Sequence, residues 1–323
     1  DGAVLANIVK VAGGTYRTIA LDIEGNVWIV GKNYGNYAKR VRSLSNIIDI
    51  TANYAVNKDG EVIKIDDLTN LGLTNILRAS EGENYALFLT NDGKGYAIGE
   101  NAKGQLGIGT TNNAETPTLI KDANGQSELT NINQLVAGKD FSMALLNNGE
   151  VYVWGGNSNY KLATMQQTSQ VLPKKNDKIT NVMFIEAGIE NGAFINNEGF
   201  VYTWGLGSTG ALGNKLYNTT STPVLVGREE VGLNTNNIVI HKGETHQIIV
   251  TNKTFNVLKD VIDNSAMNYS SDNNSIASVS ATGLVTGVTE GKTTIVVNKV
   301  GTNYSSIAQV VVLKENTIVE PKA

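Results

Sequence analysis

Apolar residues in the first two thirds of the chain fall into short runs that flank a polar turn. The figure is clearest in Leu145-Leu146-Asn147-Asn148-Gly149-Glu150-Val151-Tyr152-Val153-Trp154-Gly155. This pattern predicts a β-hairpin, because Asn-Gly supplies the positive φ angles of a two-residue hairpin turn and Val, Tyr and Trp suit a pleated surface. The figure recurs with turn glycines at 25, 60, 93, 149 and 199, giving intervals of 35, 33, 56 and 50 residues. Counted from each turn glycine, position +6 holds Gly31, Gly99, Gly155 and Gly205, and position +3 holds Trp28, Ile63, Tyr96, Tyr152 and Tyr202. In the second repeat Asp66 stands where the stopping glycine belongs, which predicts a shortened unit. Such periods are those of repeated supersecondary units with insertions in the loops.

Both alternating sets of Val151-Tyr152-Val153-Trp154 are apolar, so both faces of the sheet must be covered. No helical pattern is present to cover them. Neighbouring sheets must therefore cover one another, as the radially stacked blades of a β-propeller do, with the aromatic residues at position +3 filling equivalent gaps between blades. A solenoid is the competing architecture, but its coils are shorter than the roughly 40 to 50 residues of these units. After Val226-Gly227 the glycine and aromatic repeats give way to short Val/Ile/Thr strands with Asn/Ser turns. The expected layout is an all-β chain: a propeller over residues 1–227, an immunoglobulin-like β-sandwich over 228–314 and a polar linker over 315–323. A chain opening on Asp1-Gly2-Ala3-Val4, which has the look of Asp59-Gly60-Glu61-Val62, reads as part of a larger multidomain protein entered within a repeat.

The run Asn101-Ala102-Lys103-Gly104-Gln105-Leu106-Gly107-Ile108-Gly109, the Trp-Gly strand ends at 154–155 and 204–205, and the later Thr116-Pro117 and Thr222-Pro223 carry a specific resemblance. They resemble the repeats of the regulator of chromosome condensation. That resemblance implies a propeller of about seven blades, whereas five are visible; either blades lie upstream of Asp1, in a six- or seven-bladed ring, or the ring is smaller. The run from Ile276-Ala277-Ser278-Val279 through Gly283-Leu284-Val285-Thr286-Gly287 is similar to the bacterial immunoglobulin-like group 2 domain, with Tyr269 where that family usually has tryptophan.

Composition narrows the chemistry. Charged residues make up 17% of the 323 and the net charge is -4, so no basic surface suggests nucleic acid. The absence of cysteine excludes disulfides, thiolate metal sites and a cysteine nucleophile. No apolar run approaches the roughly 20 residues of a membrane span, so no membrane insertion is expected. Gly205-Leu206-Gly207-Ser208-Thr209-Gly210 spells a dinucleotide fingerprint, but Ala211-Leu212-Gly213-Asn214 continues the repeat instead of opening a helix, so no nucleotide or other cofactor is expected. His241 and His246 flank Lys242-Gly243-Glu244 at a spacing that does not share a strand face, and they imply no metal site. The carboxylates Asp22, Glu81, Asp140 and Glu190 are the ones a glycoside hydrolase could use, and solvation at loop positions is their ordinary explanation.

Eight residues before each turn glycine stand Arg17, Ala52, Tyr85, Phe141 and Asn191, where the resembled family often has histidine; no exchange-factor residue carries over. Repeat symmetry puts these five positions in one ring at one end of the blades, a place for a recognition surface on a rigid scaffold, with packing beneath the loops as the competing reading. Inserted loops add Tyr34, Asn36, Tyr37, Asn157, Asn159 and Tyr160, a mixture suited to sugar stacking or protein contact. The candidate binding residues are therefore Arg17, Tyr34, Tyr85, Phe141, Asn159, Tyr160 and Asn191. The resemblance implies a non-catalytic recognition or adhesion module of an exported bacterial surface protein, with a protein or glycan on one propeller face and the sandwich as stalk. Spacer modules that present another domain are the alternative, and a carboxylate-dependent glycoside hydrolase the third reading.

Overall fold

The computed structural model describes residues 4–31, 33–214, 217–226, 230–254, 257–261, 266–300 and 305–314; the linker expected at 315–323 and the opening residues 1–3 lie outside them. The chain divides into two compact units between Val226 and Gly227. The described residues form strands and short 3-10 turns such as Ser158–Tyr160, so the architecture is all-β.

The first unit is five antiparallel meanders. The first blade runs β1 (Ile8–Gly13), β2 (Arg17–Asp22), β3 (Val27–Gly31) and β4 (Gly35–Arg40). The second has β5 (Ile47–Ile50), β6 (Tyr54–Asn57) and β7 (Val62–Lys64). The third has β8 (Ile76–Glu81), β9 (Tyr85–Thr90), β10 (Gly95–Gly99) and β11 (Ala114–Leu119). The fourth has β12 (Ile132–Ala137), β13 (Phe141–Leu146), β14 (Val151–Gly155) and β15 (Gln170–Lys175), and the fifth β16 (Val182–Ala187), β17 (Asn191–Asn196), β18 (Val201–Gly205) and β19 (Thr220–Leu225). The first strand of each sheet lies beside the first strand of the next, so β1, β5, β8, β12 and β16 are the innermost strands.

Blade packing follows from the two apolar faces. Leu87, Leu89 and Ala97 of the third blade share a core with Ala144 and Trp154 of the fourth, and Met143, Leu145, Val151 and Val153 of the fourth share one with Phe194 and Trp204 of the fifth. Trp154 and Trp204 are fully buried at these joints, and their indole N–H groups donate to the carbonyls of Gln105 (2.9 Å) and Lys161 (2.8 Å). The aromatic residues at position +3 play a lesser part than their repetition suggests. Trp28, Tyr96, Tyr152 and Tyr202 are half-buried, and in the fourth and fifth blades the wedge at the joint is the tryptophan two residues further on, where the first and third have Val30 and Ile98.

Two local rules explain the strand ends. At position +6 the backbone has φ of +122° at Gly31, +111° at Gly99, +96° at Gly155 and +98° at Gly205, and a Cβ there would come within 2.3–2.7 Å of a carbonyl oxygen in the preceding loop. Only glycine tolerates both demands. Where Asp66 replaces it, the sheet stops at three strands, as the shortened repeat predicts. The hairpin tips differ from expectation. The turn glycines have positive φ, but the residues before them do not, and Asp22 N–H donates to the Asn26 carbonyl across three intervening residues. This is a three-residue loop ending in a left-handed glycine, not a two-residue turn.

The second unit is a sandwich around Val231, Leu233, Ile238, Ile240, Ile248, Val250, Met267, Ala277, Val285, Ile295, Val297, Ala308, Val310 and Val312. One sheet holds β21 (Asn237–His241), β29 (Ser305–Leu313), β28 (Gly291–Lys299) and β25 (Met267–Ser271), with β21 parallel to β29. Two three-stranded sheets, one of β20 (Glu230–Leu233), β23 (Val250–Thr254) and β24 (Val257–Val261), the other of β22 (Thr245–Gln247), β27 (Leu284–Gly287) and β26 (Ala277–Val279), complete it. Tyr269 packs against the core, and a Cβ at Gly283, φ +81°, would lie 2.9 Å from its ring.

Candidate binding cleft

The innermost strands of all five blades surround a cleft of about 1130 Å³. Its walls come from a device repeated in every blade. The residue before each inner strand is an asparagine in the left-handed region: Asn7, Asn46, Asn75, Asn131 and Asn181 have φ between +55° and +63°. Asparagine tolerates that conformation better than other non-glycine residues. Each of their carbonyls accepts an N–H from the far side of the same blade's hairpin, from Ile23, Lys58, Asn91, Asn147 and Asn197, at 2.8–2.9 Å. One residue later the inner strand takes its second strand out of register, leaving Val9, Ile48, Leu77, Asn133 and Met183 unpaired in β-bulges. A bulge re-aims the extra side chain away from the sheet. The four apolar ones are 59%, 39%, 36% and 57% exposed, and Leu77, Asn133 and Met183 line the cleft. The repeated Asn-Ile or Asn-Val dipeptide, invisible to a search for chemical motifs, is the sequence signal for this collar.

Just past the bulge the inner strand carries Lys10, Asp49, Arg78, Gln134 and Phe184. Lys10 Nζ lies 2.6 Å from Asp49 Oδ1, and Asp49 Oδ2 accepts the Ala79 N–H at 2.8 Å. Gln134 spans the joint between the fourth and fifth blades by accepting from Ile185 N–H (2.9 Å) and donating to its carbonyl (2.7 Å). Arg78 is exposed in the cleft with a bond to the Leu77 carbonyl and, among the described ion pairs, no carboxylate.

At the opposite end of the blades lie the residues singled out from the sequence, and they separate into three groups. Arg17, half-buried, bonds Asp66 and Asn53, and Tyr34 donates its hydroxyl to Asp66 at 3.0 Å. Asn53 in turn bonds Glu81, so one network ties three blades. The Arg17 hydrogen bond holds the Asp66 carboxyl below the usual range, while burial, with help from Asp66, raises the Tyr34 phenol. Asn159 donates to Glu190 at 3.3 Å, and the residues that follow these two in the chain, Tyr160 and Asn191, are half-buried. Tyr85 and Phe141 are not surface residues. They are 3% and 0% exposed, the Tyr85 hydroxyl donates to the Gly138 (3.2 Å) and Phe141 carbonyls, and burial pushes its phenol well above the ordinary value. Small residues in the preceding loops, Gly82 and Gly138, leave room for these rings to fold inward; a Cβ at either would stand 1.9–2.1 Å from the aromatic edge. Packing beneath the loops is thus the role of these two. Asn157 is likewise buried, pinning its loop by accepting from Leu162 N–H and donating to Thr164 Oγ1.

The loop carboxylates are engaged as well. Lys161, fully buried, replaces the glutamine found at position 105 and lies 2.5 Å from Asp140 and 3.2 Å from Glu190, on either side of the joint between the last two blades. Asp22 is 5% exposed and accepts from the Trp28 indole (2.9 Å) and from the Asn26 backbone (2.8 Å) and side chain (3.0 Å). Burial by itself would raise its carboxyl; those hydrogen bonds outweigh it and hold it low. No group of three or more His, Cys, Asp or Glu suited to a metal occurs among the described residues.

Comparison with known proteins agrees with this architecture. Residues 92–145 and 198–246 match the Regulator of chromosome condensation (RCC1) repeat, 132–160 match a second form of that repeat, and 229–305 match the Bacterial Ig-like domain (group 2). The two matches overlap at 229–246, where strand pairing from Glu230 onward belongs to the second unit. The chain is 30% identical over 173 residues to Protein pim1 of Schizosaccharomyces pombe, covering 49% of this chain and 29% of that one. It is 38% identical over 97 residues to the X-linked retinitis pigmentosa GTPase regulator of Canis lupus familiaris, covering 30% and 9%. It therefore spans less than a third of either relative. The solved structure of Prp20p from Saccharomyces cerevisiae superposes with a TM-score of 0.58 at 18% identity, over 68% of this chain and 63% of that one, a likeness of fold. The chain carries regulator of chromosome condensation repeats between residues 92 and 246, followed by a group 2 bacterial Ig-like domain over 229–305.

Proposed function

We propose that this chain is a non-catalytic recognition module of an exported bacterial cell-surface protein, with a protein partner seated at the propeller cleft and the Ig-like domain serving as stalk. The observation that carries the reading is the collar of extruded bulge residues. A rigid frame that exposes aliphatic side chains around a cleft provides an anchor surface for a partner's apolar groups. The engaged state of Asp22, Glu81, Asp140 and Glu190 favours recognition over hydrolysis, since each is tied to an indole, an amide or a buried ammonium. Two similar proteins bear names that speak of protein partners: Prp20p is described by its binding to Gsp1p and histones, and the retinitis pigmentosa protein as a GTPase regulator. These favour a protein over a glycan here.

The test is a cell-surface pull-down and a glycan array with the full chain, beside a Leu77→Asp/Met183→Asp variant. Capture of a defined protein that weakens at least about tenfold in the variant is expected, because two charges would have to be buried against the partner. Silence in both screens, or capture that the variant leaves unchanged, would overturn the reading. Surface protease accessibility in the source cell tests export separately.

A further inference from the structure

One buried nucleophile has no part in the recognition surface. The Lys161 side chain is 1% exposed, and its Nζ lies 2.5 Å from Asp140 Oδ1 and 3.2 Å from Glu190 Oε2. The matching loop of the third blade has Gln105 at this position, and that side chain turns back to accept the Lys103 N–H of its own loop. The fifth blade has Ala211 there. The lysine comes with other changes. Nine residues before the turn glycine the third blade has Asn84, whereas the fourth and fifth have the carboxylates Asp140 and Glu190. Gly104 and Gly107, at φ of +81° and +69°, give way to Tyr160 and Ala163 at +60° and +51°. Two residues with side chains thus hold a left-handed backbone around Lys161, a conformation that glycine would adopt without strain.

All three backbones are pinned. The Lys161 carbonyl accepts the Trp204 indole N–H at 2.8 Å, the Asp140 carbonyl the Gly156 N–H at 2.8 Å, and the Glu190 carbonyl the Leu206 N–H at 2.9 Å. Gly156 has no side chain to displace the Asp140 carboxyl, since a Cβ there would stand 2.7–2.9 Å from its atoms. An amine and a carboxyl fixed in contact, with the amine out of water, need neither an encounter nor desolvation of the nucleophile before they condense. We propose that Lys161 and Asp140 join in an intramolecular amide, with Glu190 carrying a proton between them. Lys161 Nζ passes one proton to Glu190 and attacks Asp140 Cγ, forming the C–N bond. A second proton from the nitrogen and the one held by Glu190 then go to a carboxyl oxygen of Asp140, whose C–O bond breaks to release water. Nothing is oxidised or reduced, and Glu190 ends as it began. The product ties the loop after β14 to the start of β13.

The intact mass of the full chain, with a tryptic map, tests this. The protein should weigh one water less than its sequence, and trypsin should pass over Lys161. Fragmentation of the resulting peptide, residues 140–174, should place the bridge between Asp140 and Lys161. Lys161→Met and Asp140→Ala should each restore the full mass. Glu190→Gln should slow the loss of water at least about a hundredfold when cell-free synthesis is sampled by mass over time. A parent chain at its full sequence mass overturns the proposal whatever the variants do. So does a water loss that maps to the Asp-Gly pairs at 59–60 or 92–93, the mark of a succinimide, and so does a bridge that forms as fast in Glu190→Gln as in the parent.

Discussion

At the residue scale, identical letters of the repeat do different work. Gly60 and Gly149 occupy the same turn position with φ of +76° and +82°, yet a Cβ at Gly60 would lie 2.5 Å from the Asn75 nitrogen, while one at Gly149 meets nothing within 4 Å. Gly149→Ala should therefore cost about 1 kcal/mol from backbone strain alone, and Gly60→Ala clearly more, because the neighbouring blade must also move. Chemical denaturation of the two variants measures the difference. Trp154→Ala should cost about 3–5 kcal/mol, since it empties a fully buried joint and leaves the Gln105 carbonyl with the Ser142 hydroxyl as its remaining donor. Asp22 contributes to pH dependence. Its folded carboxyl sits below the unfolded value of about 4, so its stabilisation is complete above that pH and fades as pH falls through the folded pKa. Melting of wild type and Asp22→Asn between about pH 6 and 2 should show a shallower acid slope in the variant. The glycine and tryptophan distinctions cannot be read from the letters, because each depends on what another blade brings alongside.

At the element scale, the hairpin and its stopping glycine were legible, and so was the truncated second blade, because glycine at a forced positive φ leaves a mark that periodicity reveals. The inner strand was harder. Its bulge is a slip of pairing, and neither Val9 nor Leu77 announces that it leaves the sheet. The asparagine in front of it is the better sign, since five recurrences of Asn before Ile or Val coincide with five left-handed backbones. Asn131→Gly should be tolerated within about 1 kcal/mol, whereas Asn131→Val should cost about 1–2 kcal/mol, because a β-branched side chain opposes that conformation. The positions eight before each turn glycine lie at one end of the blades, and there Tyr85 and Phe141 turn inward. Large aromatics after a glycine loop fill the space that the missing Cβ leaves, and pattern alone does not distinguish that from display.

At the scale of the whole molecule, a blade gains stability from its neighbours on both sides. The third and fourth blades have two each and hold the densest buried clusters; the first and fifth each leave one side open. Hydrogen exchange of the dilute chain should protect β9 and β13 most strongly and β1 and β16 least within the propeller, a gradient expected of stacked units coupled to nearest neighbours. The joints themselves are nearly interchangeable: the amides of Ile47, Ile76 and Ile132 each reach back to the turn glycine carbonyl of the blade before, at 2.9–3.1 Å. A gene encoding such an array can drop or copy one whole segment without orphaning any handshake between those that remain, so segment number is a free variable in its evolution while the seam is not.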